Sequence, residues 1–212
     1  MFKKKTASKA VVGLDVDPSH IAAAEVHVNG KVSVTRGVVK PLRKGILRDG
    51  EVADAPALTA ALKELWDEAG LGKSVRIGVA NQRIVVRTID LPPITDEKGL
   101  AAAVRVEAPD PIPLPMDEAV MDFQPLGLID TPAGQRMRVI VVAVRREMVE
   151  RVAAAAKDAG LKVEGIDLSA FALVRALADP EGTTAQLYVH VSGLTNVAVA
   201  NGADCLFSRT AS

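Results

Sequence analysis

Apolar and polar positions alternate most clearly in two stretches that share one grammar. The first runs Val11-Val12-Gly13-Leu14-Asp15-Val16-Asp17-Pro18-Ser19, an apolar segment ending in a tight polar turn. A strand over residues 21–28 follows, then Asn29-Gly30, then a strand over 32–39. Near the other end, residues 187–193 lead to a strand over 197–200, to Asn201-Gly202 and to Cys205-Leu206-Phe207. Asn-Gly between alternating segments is a strong local hairpin signal. Its recurrence in the same setting suggests an internal duplication.

Between the two units the period changes. Residues 41–54 read as a polar loop with turn signals at Gly45 and Asp49-Gly50. Asp54 caps a predicted helix over 56–69 that ends at Gly70, with Leu58, Leu62, Leu65, Trp66 and Ala69 on one face. Trp66 is thereby expected in the core. A buried strand over 75–80 completes a β-β-β-α-β unit. Residues 84–91 then alternate until Pro92-Pro93, and Thr95 caps a helix reaching about Glu107. The run Asp110-Pro111-Ile112-Pro113-Leu114-Pro115 suits neither helix nor central strand, because alternating prolines remove backbone donors. Strands over 119–128 and 137–144, an Ala-rich helix over 146–159, a strand over 162–167 and a helix over 169–177 lead into the second hairpin unit. The pattern predicts an α/β (α+β) chain. Its main unit begins at 1–82, a small α+β unit is inserted over 83–165, and 166–212 returns to the main unit and opens a second half.

Composition narrows the classes. With 49% hydrophobic residues but only 3% aromatics, the core must be built from Val, Ile, Leu and Ala. Lys+Arg 26 against Asp+Glu 26 leaves no net charge, which argues against a nucleic-acid binder. A single cysteine, Cys205, excludes an internal disulfide and fits a reducing compartment. The longest tight apolar run, 139–144, has strand rather than membrane-spanning length. The basic Met1-Phe2-Lys3-Lys4-Lys5 has no apolar signal-peptide core behind it and reads as a solvated terminus. A cytoplasmic location is expected.

Few motifs carry chemistry. No phosphate-binding P-loop, Gly-x-Gly-x-x-Gly or Gly-x-Ser-x-Gly occurs. His20, His27 and His190 do not stand at metal-ligand spacing with Cys205. Asp117-Glu118 and Asp122 read as solvated or capping carboxylates, and His190 as an ordinary strand histidine.

The order strand, acidic turn, strand, Asn-Gly, strand resembles the phosphate-loop half of the actin/Hsp70/sugar-kinase fold. Gly13-Leu14-Asp15-Val16 is similar to the "GLDIG" opening of the PilM family, actin-like cytoplasmic proteins of type IV pilus machines. Further stretches resemble that family and arrive in its order: Leu91-Pro92-Pro93, Glu107-Ala108, Pro111-Ile112-Pro113, Met121-Asp122-Phe123, Val142-Ala143-Val144, Ala159-Gly160-Leu161 with Asp167, and Phe207-Ser208-Arg209. The resemblance implies an actin-like/ribonuclease H-like main domain with an inserted subdomain and an incomplete second half. A chain truncated after the second phosphate hairpin is the expectation.

The resemblance also implies ATP and Mg²⁺ as cofactors of a full-length form, bound around Asp15, Asp17, Ser19, Ser192, Gly193 and Thr195. Asp15 matches the family aspartate that helps hold the hydrated metal, unless it only caps the hairpin turn. Three positions depart from the family. Asp17 stands where glycine lets phosphate approach, adding a like charge. His190 replaces the second-turn aspartate, with Ser192 at the following glycine position. Asp167-Leu168-Ser169-Ala170 puts Ser169 where a Glu or Gln would orient the attacking water. Hydrolysis is therefore not expected.

What the resemblance implies instead is a scaffold. It would bind the cytoplasmic tail of an inner-membrane, PilN-like pilus protein and sit at that membrane through its partner. An extended tail needs an apolar wall and unpaired backbone groups. The candidates are Ile84, Val86, Ile89 and Leu91 on one strand and Ile112 and Leu114 in the proline segment. Asp110, where the family usually has an aromatic, departs from that wall. The alternatives are an active, polymer-forming ATPase related to FtsA, or a small-molecule kinase of the same fold; oligomeric state is left open.

Overall fold

A computed structural model describes residues 11–28, 32–179, 182 and 184–212. The basic terminus at Met1 to Lys5 and the first hairpin dipeptide, Asn29-Gly30, lie outside the described residues. In chain order the elements are β1 (Val11–Val16), β2 (His20–Val28), β3 (Val32–Pro41), β4 (Leu47–Arg48), β5 (Glu51–Val52), α1 (Ala55–Ala69), β6 (Ser74–Val79), β7 (Val85–Leu91) and α2 (Glu97–Glu107). They continue with β8 (Ala119–Thr131), β9 (Gly134–Arg145), α3 (Arg146–Asp158), β10 (Lys162–Leu168), α4 (Ser169–Leu177), β11 (Ala185–Val191), β12 (Thr195–Asn201) and β13 (Asp204–Ala211).

The first hairpin unit builds one edge of a five-stranded sheet, ordered β10-β6-β1-β2-β3. β1, β2 and β3 are antiparallel neighbours, while β6 and β10 join parallel to β1 and to each other. Parallel neighbours need crossovers, and α1 and α3 supply them. The period of two in β1 then sorts its side chains. Val12, Leu14 and Val16 are buried among Leu58, Leu62 and Leu65 of α1 and Met148, Val152 and Ala155 of α3. Gly13 and Asp15 face the opposite side, where α4 lies. Each of the three α1 leucines is fully buried, worth roughly 1.5–3 kcal/mol apiece.

Helix α1 starts and stops as its sequence demands. The Asp54 carboxylate accepts the Ala57 N–H at 3.0 Å, and Gly70 closes the helix at φ 59°, donating its N–H to Trp66 O. Trp66 is buried, with its indole Nε1 donating to Gly72 O at 3.0 Å. The cap of α2 is Asp96, not Thr95: its carboxylate accepts the Gly99 N–H at 2.7 Å. An aspartate outcompetes the neighbouring threonine because its charge faces the positive end of the helix dipole.

Residues 41–54 are less loop-like than their polarity suggests. Leu42, Ile46, Leu47 and Val52 are buried, and β4 pairs with β5 across a two-residue turn. Both turn residues have positive φ, 52° at Asp49 and 81° at Gly50. That is the twist a tight hairpin requires.

The inserted segment has its own three-stranded sheet, ordered β7-β9-β8. Strand β9 explains the uninterrupted apolar run at 139–144, since both of its faces are covered. Val139, Val141 and Ala143 pack beneath α2 with Leu91, Leu100, Val104 and Ile112. Val142 and Val144 turn instead to the main core, and Ile140 to the cluster around α4. Helix α3, counted with the insertion on sequence grounds, packs on α1 and the five-stranded sheet through Met148, Val152, Ala155 and Ala156. Its apolar stripe faces that way because the crossover into β10 has to cover the main sheet.

The second hairpin unit, β11-β12-β13, forms a separate antiparallel sheet. Tyr188, Ala198, Ala200 and Cys205 pack on Ala170 and Val174 of α4. The other face of the sheet leaves Leu187, Val189, Val191 and Phe207 exposed.

Candidate functional site

The two tight turns that the sequence singled out meet. Strand β1 ends at Asp17-Pro18-Ser19, a turn closed by the Asp17 N–H donating to His20 O at 3.0 Å and the His20 N–H donating to Asp17 O at 3.2 Å. Strand β11 ends at Ser192-Gly193-Leu194. Between them lies the carboxylate of Asp17, 5% exposed.

Five donors converge on that carboxylate. From its own turn, the Ser19 N–H donates to Oδ1 at 2.8 Å and the Ser19 hydroxyl donates to the same oxygen at 2.5 Å. From the other turn come the Ser192 hydroxyl to Oδ2 at 2.5 Å, the Gly193 N–H to Oδ1 at 3.0 Å and the Leu194 N–H to Oδ2 at 3.1 Å. Burial by itself would raise the pKa of this group. The hydrogen bonds from Ser19, Ser192 and Leu194 outweigh it, so the pKa falls below the ordinary 3.8. The turn-capping carboxylate is therefore Asp17, not Asp15.

Gly193 makes the approach possible. A Cβ there would stand 2.4 Å from Asp17 Oδ1 and 2.9 Å from the Ser19 nitrogen. Next to it, the Leu194 side chain is fully buried against the β4–β5 turn, in contact range of Gly50.

Asp15 lies on the other face of β1 from the main core and is half-buried. Its Oδ1 accepts the hydroxyl of Ser169, the first residue of α4, at 2.7 Å. Gly78 on β6 leaves the room, for a Cβ there would meet Ser169 Oγ at 3.0 Å. Asp167 is held by Arg175 and accepts the Leu168 N–H at 2.8 Å. Asp15, Asp167, Ser169 and His190 all line a groove of about 540 Å³ between the sheet and α4, whose remaining walls are largely apolar. Thr195 opens β12, half-buried and paired with Val191 and Ala211. Among the described residues, no three His, Cys, Asp or Glu side chains converge as a metal site.

The structure thus joins Asp17, Ser19, Ser192 and Gly193 in one network and puts Asp15 in another with Ser169. That Asp17 reaches across to the second turn was not apparent from sequence. The available signal was local: Asp-Pro-Ser favours a carboxylate bonding its own backbone two residues on, and Ser-Gly marks a turn with exposed N–H groups.

The residues proposed to contact a partner divide by burial. Leu91 and Ile112 are 1% and 3% exposed and belong to the insertion's core, so they form no open wall. Ile89 and Leu114 are half-buried against that core, Ile84 and Val86 against the main one. Strand β7, which carries Val86, Ile89 and Leu91, is an edge strand of its sheet, as is β8.

Comparison with known proteins fits this architecture. The family described as type IV pilus assembly protein PilM matches residues 13–211. Among solved structures, the PilM-PilN type IV pilus biogenesis complex is similar at 30% sequence identity with a TM-score of 0.81, over 95% of this chain and 61% of that one. The chain spans about three fifths of that protein's length. The ethanolamine utilization protein EutJ from Carboxydothermus hydrogenoformans matches at 16% identity and a TM-score of 0.52, over 95% of this chain and 51% of its own, a likeness of fold alone.

Proposed function

Because the chain belongs to the PilM family of type IV pilus assembly proteins, we propose that it is an actin-like scaffold of pilus assembly that binds the cytoplasmic tail of a PilN-like inner-membrane protein without hydrolysing ATP. The observation that carries this reading is the similarity to the protein of the PilM-PilN complex across 95% of the chain. The chain is held at the inner membrane by that partner; no helix among the described residues is long and apolar enough to cross a bilayer.

The geometry supports a peptide-binding role in two ways. Strand β7 is an edge, so an extended tail can add to it through backbone hydrogen bonds. Ile89 and Leu114 offer partial apolar surface above a rigid floor that includes Leu91 and Ile112. Hydrolysis is disfavoured at Ser169, whose hydroxyl is committed as a donor to Asp15 and supplies no strong proton acceptor for a water.

The test is a calorimetric titration of the chain with a synthetic peptide of the cytoplasmic tail of the PilN-like protein from the same cell, with a scrambled peptide beside it. Saturable binding of the native peptide alone is expected, together with no phosphate release from Mg-ATP. Equal response to both peptides, or ATP turnover, would overturn the proposal.

A further inference from the structure

We propose that Asp17 is a built-in anion. It fills the cradle that the two turns form and locks the second hairpin unit to the first without any phosphate ligand. The cradle has the makings of an anion site: two successive backbone N–H groups, those of Gly193 and Leu194, and two hydroxyls, those of Ser19 and Ser192, aimed at one point. Such nests, with a glycine for close approach, hold phosphates elsewhere. In this chain every one of those donors is spent on the Asp17 carboxylate.

The fit of a triphosphate fails on three counts that share one cause. A phosphate oxygen would need the N–H groups that Asp17 already holds. It would also need the space at Gly193, where even a Cβ would stand 2.4 Å from Asp17 Oδ1. And it would bring negative charge against a carboxylate that its hydrogen bonds keep ionised. His20 belongs to the same turn, its Nδ1 3.5 Å from Asp17 Oδ1 and 2.9 Å from the Ser19 hydroxyl. The groove nearby is lined by the acidic Asp15 and Asp167, with Arg76 also on its wall.

The latch is also a matter of topology. Asp17 directly follows a strand of the five-stranded sheet, whereas residues 192–194 join two strands of the separate three-stranded sheet. Three of the five hydrogen bonds therefore cross between sheets, over sequence separations of 175 to 177 residues. In a protein where a phosphate sat in this cradle, the same bridge would form only with ligand bound. Here it is permanent, and the relation of the two hairpin units does not depend on nucleotide.

The test compares the 212-residue chain with Asp17→Gly and Asp17→Asn, using pyrophosphate as probe. Two readouts serve: thermal midpoint, and the amide resonances of Gly193 and Leu194 in nitrogen-15 spectra. The parent is expected to show no response to millimolar pyrophosphate. Both variants should melt lower than the parent, but only Asp17→Gly, which empties the cradle, should recover on adding the anion and shift those two amides, with affinity raised on the order of a hundredfold; Asp17→Asn, whose amide still fills the space, should not respond. Gly193→Ala placed on Asp17→Gly should abolish the response, because the methyl refills the cradle. A parent that responds like Asp17→Gly, or a folded Asp17→Gly variant blind to pyrophosphate, would overturn the inference.

Discussion

Replacing Gly193 by alanine separates two reasons why a glycine sits in a turn. Its φ is not in the left-handed region, so an alanine there suffers no backbone strain. By that criterion alone Gly193→Ala should stabilise by about 0.4–1 kcal/mol, through a less disordered unfolded chain. The contact says otherwise: the new methyl would stand 2.4 Å from Asp17 Oδ1 and 2.9 Å from the Ser19 nitrogen. The carboxylate must then withdraw, loosening its bonds to Ser192, Gly193 and Leu194. Gly193 is exposed and its N–H can turn to water, but Leu194 is buried and its N–H cannot. One orphaned buried donor costs about 1–3 kcal/mol, and weakened bonds to a charged acceptor add to it, so a net loss of about 2–4 kcal/mol is expected. Gly37→Ala is the control, since a Cβ there meets nothing within 4 Å. It should be neutral or slightly stabilising. Urea unfolding followed by circular dichroism, with unchanged slope, reads both. A double-mutant cycle with Asp17→Gly should show coupling above about 1 kcal/mol. A parent-like midpoint for Gly193→Ala would refute the reasoning; so would an equal penalty in both backgrounds, which would assign the clash to the Ser19 backbone instead.

Four further outcomes follow. Gly50→Ala should be the most damaging single glycine change, by more than about 3 kcal/mol, because left-handed φ costs about 1–2 kcal/mol and the methyl would collide with Ala80 O at 1.9 Å. Gly134→Ala, with φ 103° and open space around it, isolates the strain and should cost less in the same urea assay. Arg36→Ala should lower stability by about 0.5–1 kcal/mol, since Arg36 donates to the Gly70 carbonyl at 2.9 Å and to Ala69 at the C-terminus of α1. The pH dependence follows from Asp17. A carboxylate whose folded pKa lies below its unfolded one contributes stability that is fully present above the unfolded value, near 3.8, and lost as pH falls through the folded value. Asp17→Asn should therefore flatten the acid limb of a plot of urea midpoint against pH; an unchanged limb would mean that other carboxylates set it.

Local chemistry was legible wherever one residue type dictated one geometry. Asp54 and Gly70 bounded α1, Pro92-Pro93 stopped β7, and the 3.6-residue spacing of Leu58, Leu62 and Leu65 marked a face that the structure buries completely. What escaped was whatever depended on a partner far along the chain. The apolar run at 139–144 announced a strand but not that alternate residues would serve different cores, because periodicity records burial and not the identity of what buries. Leu91 and Ile112 fit a wall as well as the core that each singly favours, since both fates require the same apolar side chain. Asp17 shows the limit most sharply. Its sequence neighbours suggest a carboxylate intruding on a phosphate turn, and leave a turn-capping role open to Asp15. The geometry gives the capping role to Asp17, which takes the donors of both turns, while Asp15 accepts from Ser169. No pattern within either hairpin encodes that bridge, because three of its five donors lie more than 170 residues away. The two substitutions that look like losses when each turn is read alone, glycine to Asp17 in the first and the displaced glycine at 193 in the second, are complementary once the turns meet. A carboxylate needs a neighbour without a side chain, and Gly193 is that neighbour.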